Sequence, residues 1–525
     1  MQVSVAERIR KLGLPVVAAW VVVTACNLGT PPTAVPTPSA TPSEVPPTAT
    51  ATDSASATPS ATFTQAITLT PSYTPSPAPT LTPTATFTPT ATVPPPPAVA
   101  IALDNYQTVT IEEQVREGIG GIYLSFINVN DKPATGTVTP GTPPPSNNLA
   151  TIYLISPALP NTRIRVLDLP ASTDTNVFWS PNGAFIAYFL RSGEQSGLYL
   201  TSLELGYQVR LFALDNLSPR GVANPPVWSP DSRQITLALS TATDLDIFSV
   251  SPDGSNFRNF SQNPAHDFWP VWSPDGQFMA FVSDRAVCKT WEPNAPDTCY
   301  SEDAPPPDGG HLYLYAAANG EVRKLSDDWL TAPPRWITPM RVGYSAGTRG
   351  DPIAETALKW VNALTGTVTT ISPEGTSALN EAWTVDGSKV IYQEIGTDAD
   401  IVVRDENGNE LGRLADLDFP RFGFAAAWSP DGLRLVVGGR NGQCPYGMTL
   451  FNDALESLFR AQPRPGVCDP EFSPDGRYVA FGGVQPGADG AFDLYLSSPS
   501  GGGIRSVTGR FGGQIRPLGW VGRAR

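Results

Sequence analysis

One stretch of the chain matches a catalytic motif. Gly343-Tyr344-Ser345-Ala346-Gly347 fits the G-x-S-x-G pattern, in which a serine nucleophile sits on a sharp strand-to-helix turn. A hydrolase of that kind needs an acid and then a histidine further along the chain to take the serine proton. The chain has two histidines, His266 and His311, and neither follows Ser345. Catalysis by Ser345 is therefore not expected. Asp405-Glu406-Asn407-Gly408-Asn409 has a faint likeness to a calcium loop. Glu410 stands where that loop needs glycine, however, and Asp416 where it needs glutamate. The stretch reads instead as an Asn-Gly hairpin turn. With two histidines and no C-x-x-C pair, no metal site or cofactor is expected.

Composition narrows the field further. The 525 residues carry 34 basic and 49 acidic side chains, a formal net charge of −15, which argues against a nucleic-acid partner. The 56 prolines and 46 glycines rule out a continuous helical protein, while the 12 tryptophans are too many for a wholly disordered one. These facts fit together if proline and core occupy different segments. Residues 27–97 hold 18 prolines, 20 threonines and two charges, Glu44 and Asp53. Such a stretch cannot bury enough apolar surface to offset its ordering entropy, so it reads as a disordered linker.

The first 26 residues read as an export signal: Arg8, Arg10 and Lys11, then an apolar run from Leu12 to Ala25. The run is short of the roughly 20 residues of a membrane span. It ends Val23-Thr24-Ala25-Cys26, which resembles the lipobox of bacterial lipoproteins and implies lipidation of Cys26. Four cysteines remain, and an even number in an exported chain suggests disulfides. Three pairings are open. The local one, Cys288 with Cys299 and Cys444 with Cys468, is favoured by loop position.

From residue 98 onward one phrase repeats: WSPNG at Trp179, WSPDS at Trp228, WSPDG at Trp272, WTVDG at Trp383, WSPDG at Trp428 and FSPDG at Phe472. Weaker copies stand at Trp336 and Trp520, and the spacings are 49, 44, 64, 47, 45, 44 and 48 residues. Each unit reads as a strand into the tryptophan, a Pro-Asp-Gly turn, two apolar strands, a hairpin signal and a short fourth strand. That is the length and make-up of a four-stranded propeller blade. The repeated Asp231, Asp275, Asp386, Asp431 and Asp475 are read as turn residues bonding their own backbone, not as a ring of ligands.

The repeat resembles that of TolB-like, WD-repeat-like β-propellers over residues 118 to 525. This implies an all-β propeller at residues 98–525. Residues 122–128, 150–155 and 163–167 supply strands two to four of a unit lacking its first, and 515–521 a first strand lacking the rest. Together they make a composite closing blade. Eight blades are expected, or seven if the Trp336 unit or the N-terminal strands fall short.

Strand alternation puts the short turns on one face and every long connection on the other. The long-connection face carries the loop from Ala286 to Gly310, with Trp291 and Tyr300 read as displayed aromatic anchors among Glu292, Asp297, Glu302 and Asp303. It also carries His266, Asp267 and Asp469, and these with Trp291 and Tyr300 are the candidate ligand residues. The expected protein is an exported, lipid-anchored monomer without enzymatic activity, binding an envelope protein or a glycan. The membrane is touched through the lipid alone. The rival expectation is a hydrolase or lyase using carboxylates in the central channel. If the lipid reading is right, labelled fatty acid is incorporated into the wild-type protein, and Cys26→Ser abolishes the label and releases the protein from membranes or leaves an uncleaved precursor.

Overall fold

The computed structural model describes residues 104–117, 121–129, 149–170, 176–191, 193–213, 225–241, 243–301, 307–351, 355–396, 399–440, 442–461, 465–484, 492–509 and 513–522. Chain contacts divide the protein into Met1–Thr88 and Pro89–Arg525, and every described residue belongs to the second unit. The expected signal, Cys26 and linker 27–97 lie outside the described residues.

Among the described residues the strands form eight antiparallel blades of four. Blades 2 to 8 follow the sequence, with first strands Val177–Trp179, Val227–Trp228, Asp267–Trp272, Arg335–Thr338, Ser377–Trp383, Phe424–Trp428 and Cys468–Phe472. Blade 1 is the composite: Gln514–Val521 pairs with Tyr123–Val129 from Val129↔Gln514 to Tyr123↔Val521, and Leu149–Ile155 and Arg163–Pro170 complete it. First strands of several neighbouring blades pack directly on one another, which places them on the inside of the ring. The Trp336 unit is a complete blade, so the count is eight.

The core lies between the blades. Apolar clusters pair the facing sheets, for example Leu124 and Phe126 of blade 1 with Leu494 and Leu496 of blade 8. The repeated tryptophan bonds across five of these interfaces. Trp179 Nε1 donates to Ser125 Oγ at 3.0 Å, Trp228 Nε1 to Phe178 O at 3.2 Å and Trp272 Nε1 to Thr236 Oγ1 at 2.9 Å. Trp336 Nε1 donates to Val271 O at 3.0 Å and Trp428 Nε1 to Ala382 O at 3.1 Å. In every case the acceptor belongs to the preceding blade. Trp383 and Trp520 hold the same position with the indole N–H buried and unbonded, and Phe472 fills it in blade 8.

The S-P-D-G turn is stitched from within. Ser273 Oγ donates to Asp275 Oδ1 at 2.6 Å, Asp275 Oδ1 accepts Gln277 N–H at 3.1 Å, and Ser273 Oγ accepts Phe278 N–H at 2.9 Å. The same three bonds recur around Asp231, Asp386, Asp431 and Asp475. The repeated aspartates therefore spend their lone pairs on their own turns.

Two elements were not expected. Asp104–Thr108 adds a fifth strand to the outer edge of blade 2, pairing with Tyr207–Ala213 and covering an edge that would otherwise stand open. A four-residue helix, Glu113–Arg116, follows it and buries Val115.

Trp428 is 6% exposed and bonds across its interface. Trp428→Ala should cost about 3–5 kcal/mol, read as a shift in the denaturation midpoint. Trp428→Phe, which keeps most of the burial, should lose about 1 kcal/mol.

Candidate functional site

The long-connection face gathers the chain's least regular features. Three first strands carry a bulge three residues before the repeat aromatic: Trp269 in blade 4, Asn380 in blade 6 and Asp469 in blade 8, with φ of 52°, 56° and 44°. The ladder slips at each, between Phe268 and Val271, Leu379 and Ala382, and Cys468 and Glu471. A left-handed tryptophan costs on the order of 1–2 kcal/mol, so the surrounding strands must impose it. Bulges re-aim side chains, and here they do so on the innermost strands.

Charged side chains tie these positions together across blades. Arg440, following the second strand of blade 7, donates from Nε to Asp469 Oδ1 at 3.1 Å and from Nη1 to Asn380 Oδ1 at 3.3 Å. It thereby bridges blades 6, 7 and 8. Arg335 of blade 5 reaches Glu381 of blade 6, with Nη1 3.1 Å from the carbonyl oxygen and 3.5 Å from Oε1. Glu471 is accessible to solvent yet closely surrounded by protein, and a Cβ on Gly519 would stand 3.5 Å from its Oε2. That crowding, with the Asp469 charge second, raises the Glu471 carboxyl above the usual carboxylate range. The result is a rim of charges of both signs from four successive blades, carried on the inner strands of blades 5, 6 and 8 and just after the second strand of blade 7.

The loop from Ala286 to Gly310 is closed as expected, with Cys288 and Cys299 bonded and their Cα atoms 5.5 Å apart. Cys444 and Cys468 are bonded too, tying the blade 7 connection to the first strand of blade 8. Trp291 corrects the expectation of a displayed anchor: it is 8% exposed. Its Nε1 donates to Asp284 Oδ2 at 2.9 Å, its N–H to Pro264 O at 2.9 Å, and its ring lies edge-on to His266 at 4.5 Å. Trp291 bolts the loop down, because Asp284 gives the indole N–H a buried acceptor. His266 and Asp267 are likewise buried rather than presented. His266 N–H donates to Asp284 Oδ1 at 2.9 Å, and Asp267 receives Arg285 Nη2 on both oxygens at 2.8 and 2.7 Å. Tyr300 and Asp469 are accessible, so these two of the five candidates remain on the surface. Glu302 and Asp303 lie outside the described residues.

Beside this loop burial acts on two carboxylates. Asp267 is pushed up to about 6 by desolvation, against the pull of Arg285. Asp244 is pushed up to about 7, first by desolvation, then by Asp246 and Asp267. Its carboxylate also takes the Thr241 hydroxyl.

The G-x-S-x-G motif has a packing explanation. Ser345 sits mid-strand in Arg341–Gly347, opposite Leu358. A Cβ on Gly343 would meet Ile337 Cδ1 at 2.9 Å and Trp383 Nε1 at 3.6 Å, and one on Gly347 would meet Thr331 at 2.8 Å. His311 is held by the Asp328 carbonyl at 3.1 Å and lies edge-on to Trp329. Asp405 Oδ1 accepts Asn407 and Asn409 N–H at 2.9 and 2.8 Å, as an Asn-Gly turn requires.

Eight four-stranded blades closed by a composite sheet define a β-propeller. Residues 169–288 match the family model of the TolB β-propeller domain. Over that stretch the propeller is TolB-like. It is 28% identical over 106 residues to a TolB homolog of Chlorobium chlorochromatii, and 32% over 106 residues to one of Chlorobium luteolum. Each alignment takes in 20% of this chain, with 22% and 23% of the relative. An uncharacterized protein of Agrobacterium fabrum is 27% identical over 132 residues, 25% of this chain and 42% of that one. The chain thus spans less than half the length of these relatives. Among solved structures, an oligogalacturonate lyase of Vibrio parahaemolyticus overlays at TM-score 0.39 with 14% identity, covering 72% of this chain and 98% of that one. A eukaryotic initiation factor overlays at 0.48 with 14% identity, covering 77% and 99%. Nothing of their activities is carried over.

The raised carboxyls fix a sign for pH dependence. Folded Asp244 holds its proton between about pH 4 and 7 while the unfolded chain has released it, so stability falls as pH rises through that window. Asp244→Asn stays neutral throughout. Melting curves from pH 4 to 8 should show the wild type losing on the order of 1–3 kcal/mol relative to Asp244→Asn as pH rises.

Proposed function

We propose that the chain is an exported, lipid-anchored, monomeric protein whose propeller holds a protein partner outside the cytoplasm without chemical turnover. The observation that carries this reading is the row of charges on and beside the inner strands of blades 5 to 8, where Arg335, Glu381, Arg440, Asp469 and Glu471 supply groups of both signs. Such a rim suits complementary pairing with another protein surface. Accessible Tyr300 on the same face adds an aromatic contact of the kind that dominates interface energies. Two disulfides support an oxidising compartment.

A carboxylate enzyme is the second reading, favoured by Asp244, whose value of about 7 suits a general acid. The two separate experimentally. Tagged protein is used to capture partners from envelope extract, and the captured species is titrated against wild type, Arg440→Ala and Tyr300→Ala. The binding reading expects a protein retained by wild type and weakened at least about tenfold by Arg440→Ala, since a charge-assisted bond to each of two blades is lost. A glycan in the eluate would change the partner class. Equal retention by correctly folded variants would remove the rim from the interface. Turnover of an envelope polysaccharide that disappears in Asp244→Asn would decide for the enzyme.

A further inference from the structure

A cleft of about 350 Å³ opens between the outer strands of blades 6 and 7, away from the rim. Its size is in the range that receives a small organic ligand. The floor is apolar: Leu414, Leu417 and Phe451 belong to the core shared by the two blades.

One wall is built at a conformational cost. The turn between third and fourth strands has a left-handed position that is glycine in blades 2, 3, 4, 5, 6 and 8, namely Gly206, Gly254, Gly320, Gly366, Gly408 and Gly501. Blade 7 places Leu455 there, at φ 62°, its N–H bonded to Asn452 O at 3.1 Å, the three-residue closure that the glycines of blades 3, 6 and 8 also make. A leucine in that conformation carries a steric cost that glycine would not. Its side chain reaches across to blade 6, where a Cβ on Gly412 would meet Leu455 Cδ1 at 2.6 Å. The strained leucine and the facing glycine together shape the cleft.

The two cations at this cleft differ. Arg413 is neutralised on the protein side by Glu394, Asp400 and Glu410. Arg460, in the fourth strand of blade 7, is exposed and makes no ion pair among the described residues. It stands at the cleft next to the exposed Ser457.

We propose that this cleft binds an amphipathic organic anion, with a flat apolar body on Phe451 and the leucines and an acidic group on the Arg460 guanidinium. The site is independent of the rim and of the partner proposed for it.

The probe is 1-anilinonaphthalene-8-sulfonate, an aromatic anion whose fluorescence rises in apolar surroundings, with neutral N-phenyl-1-naphthylamine as its counterpart. Full-length wild type, Arg460→Gln and Ala415→Trp are titrated with each. Ala415 is an exposed residue lining the cleft, so the added indole blocks the space without entering the core. Expected are one anion site per chain, weakening of about tenfold or more in each variant with unchanged melting, and a similar preference for the anion over the neutral probe. Absence of binding, several equivalent sites, affinity unchanged by Arg460→Gln, or equal affinity for the two probes would overturn the assignment.

Discussion

The repeat aromatic that packs between each blade and the one before it, an indole in seven of the eight, is the contact on which the molecule depends. A blade alone is a twisted four-stranded sheet with two apolar faces, and neither face is buried until a neighbour arrives. The repeated tryptophan sets the distance and the register of that arrival. Its ring fills the wedge between sheets, and in five blades its N–H bonds to the first or second strand of the preceding sheet. The serine and aspartate that follow lock the turn, which fixes the strand that positions the indole. Turn chemistry and interface chemistry are therefore one device, repeated.

That regularity also explains where irregular features can stand. The short turns are committed to their own bonds and leave little for a partner. The opposite face receives the connections whose length is free, and the bulges on the inner strands open towards it. Arg440 ties three blades there at once, so the charges of the rim are positioned by sheets rather than by loops. The loop closed by Cys288 and Cys299 is likewise pinned, by its disulfide and by the buried Trp291 bonded to Asp284.

Much of this was legible in the sequence. The period, the turn residues and the split blade pointed to eight blades and the composite closure, with seven left open until the Trp336 unit proved to be a complete blade. Of the three cysteine pairings the sequence left open, the local one it favoured is the one formed. Trp291 was misread because an aromatic among acidic residues resembles a binding loop. The signal that could have corrected it was Asp284, seven positions earlier, an acceptor just beyond the end of a strand. The bulges at Trp269, Asn380 and Asp469 leave no mark, since none is a glycine and the slip appears only when the strands are paired. The edge strand Asp104–Thr108 was hidden because its residues, Asp-Asn-Tyr-Gln-Thr, show no apolar alternation. Leu455 was visible in principle, as the one leucine where the aligned repeats have glycine, but its meaning required the neighbouring blade.

The composite blade also imposes an order in time. Gln514–Val521 is made after every other strand, yet it pairs with Tyr123–Val129, which is made among the first. Until the late segment arrives, blade 1 lacks its innermost strand and blade 8 has a completed neighbour on one side only. The growing polypeptide can stack blades 2 to 7 one upon another as they emerge, but the ring stays an open arc with two sticky ends. Closure is a single event across nearly 400 residues, slow because a long loop must be gathered before any contact rewards it. Once made, it joins the last strand of the ring to one of its earliest in a single sheet.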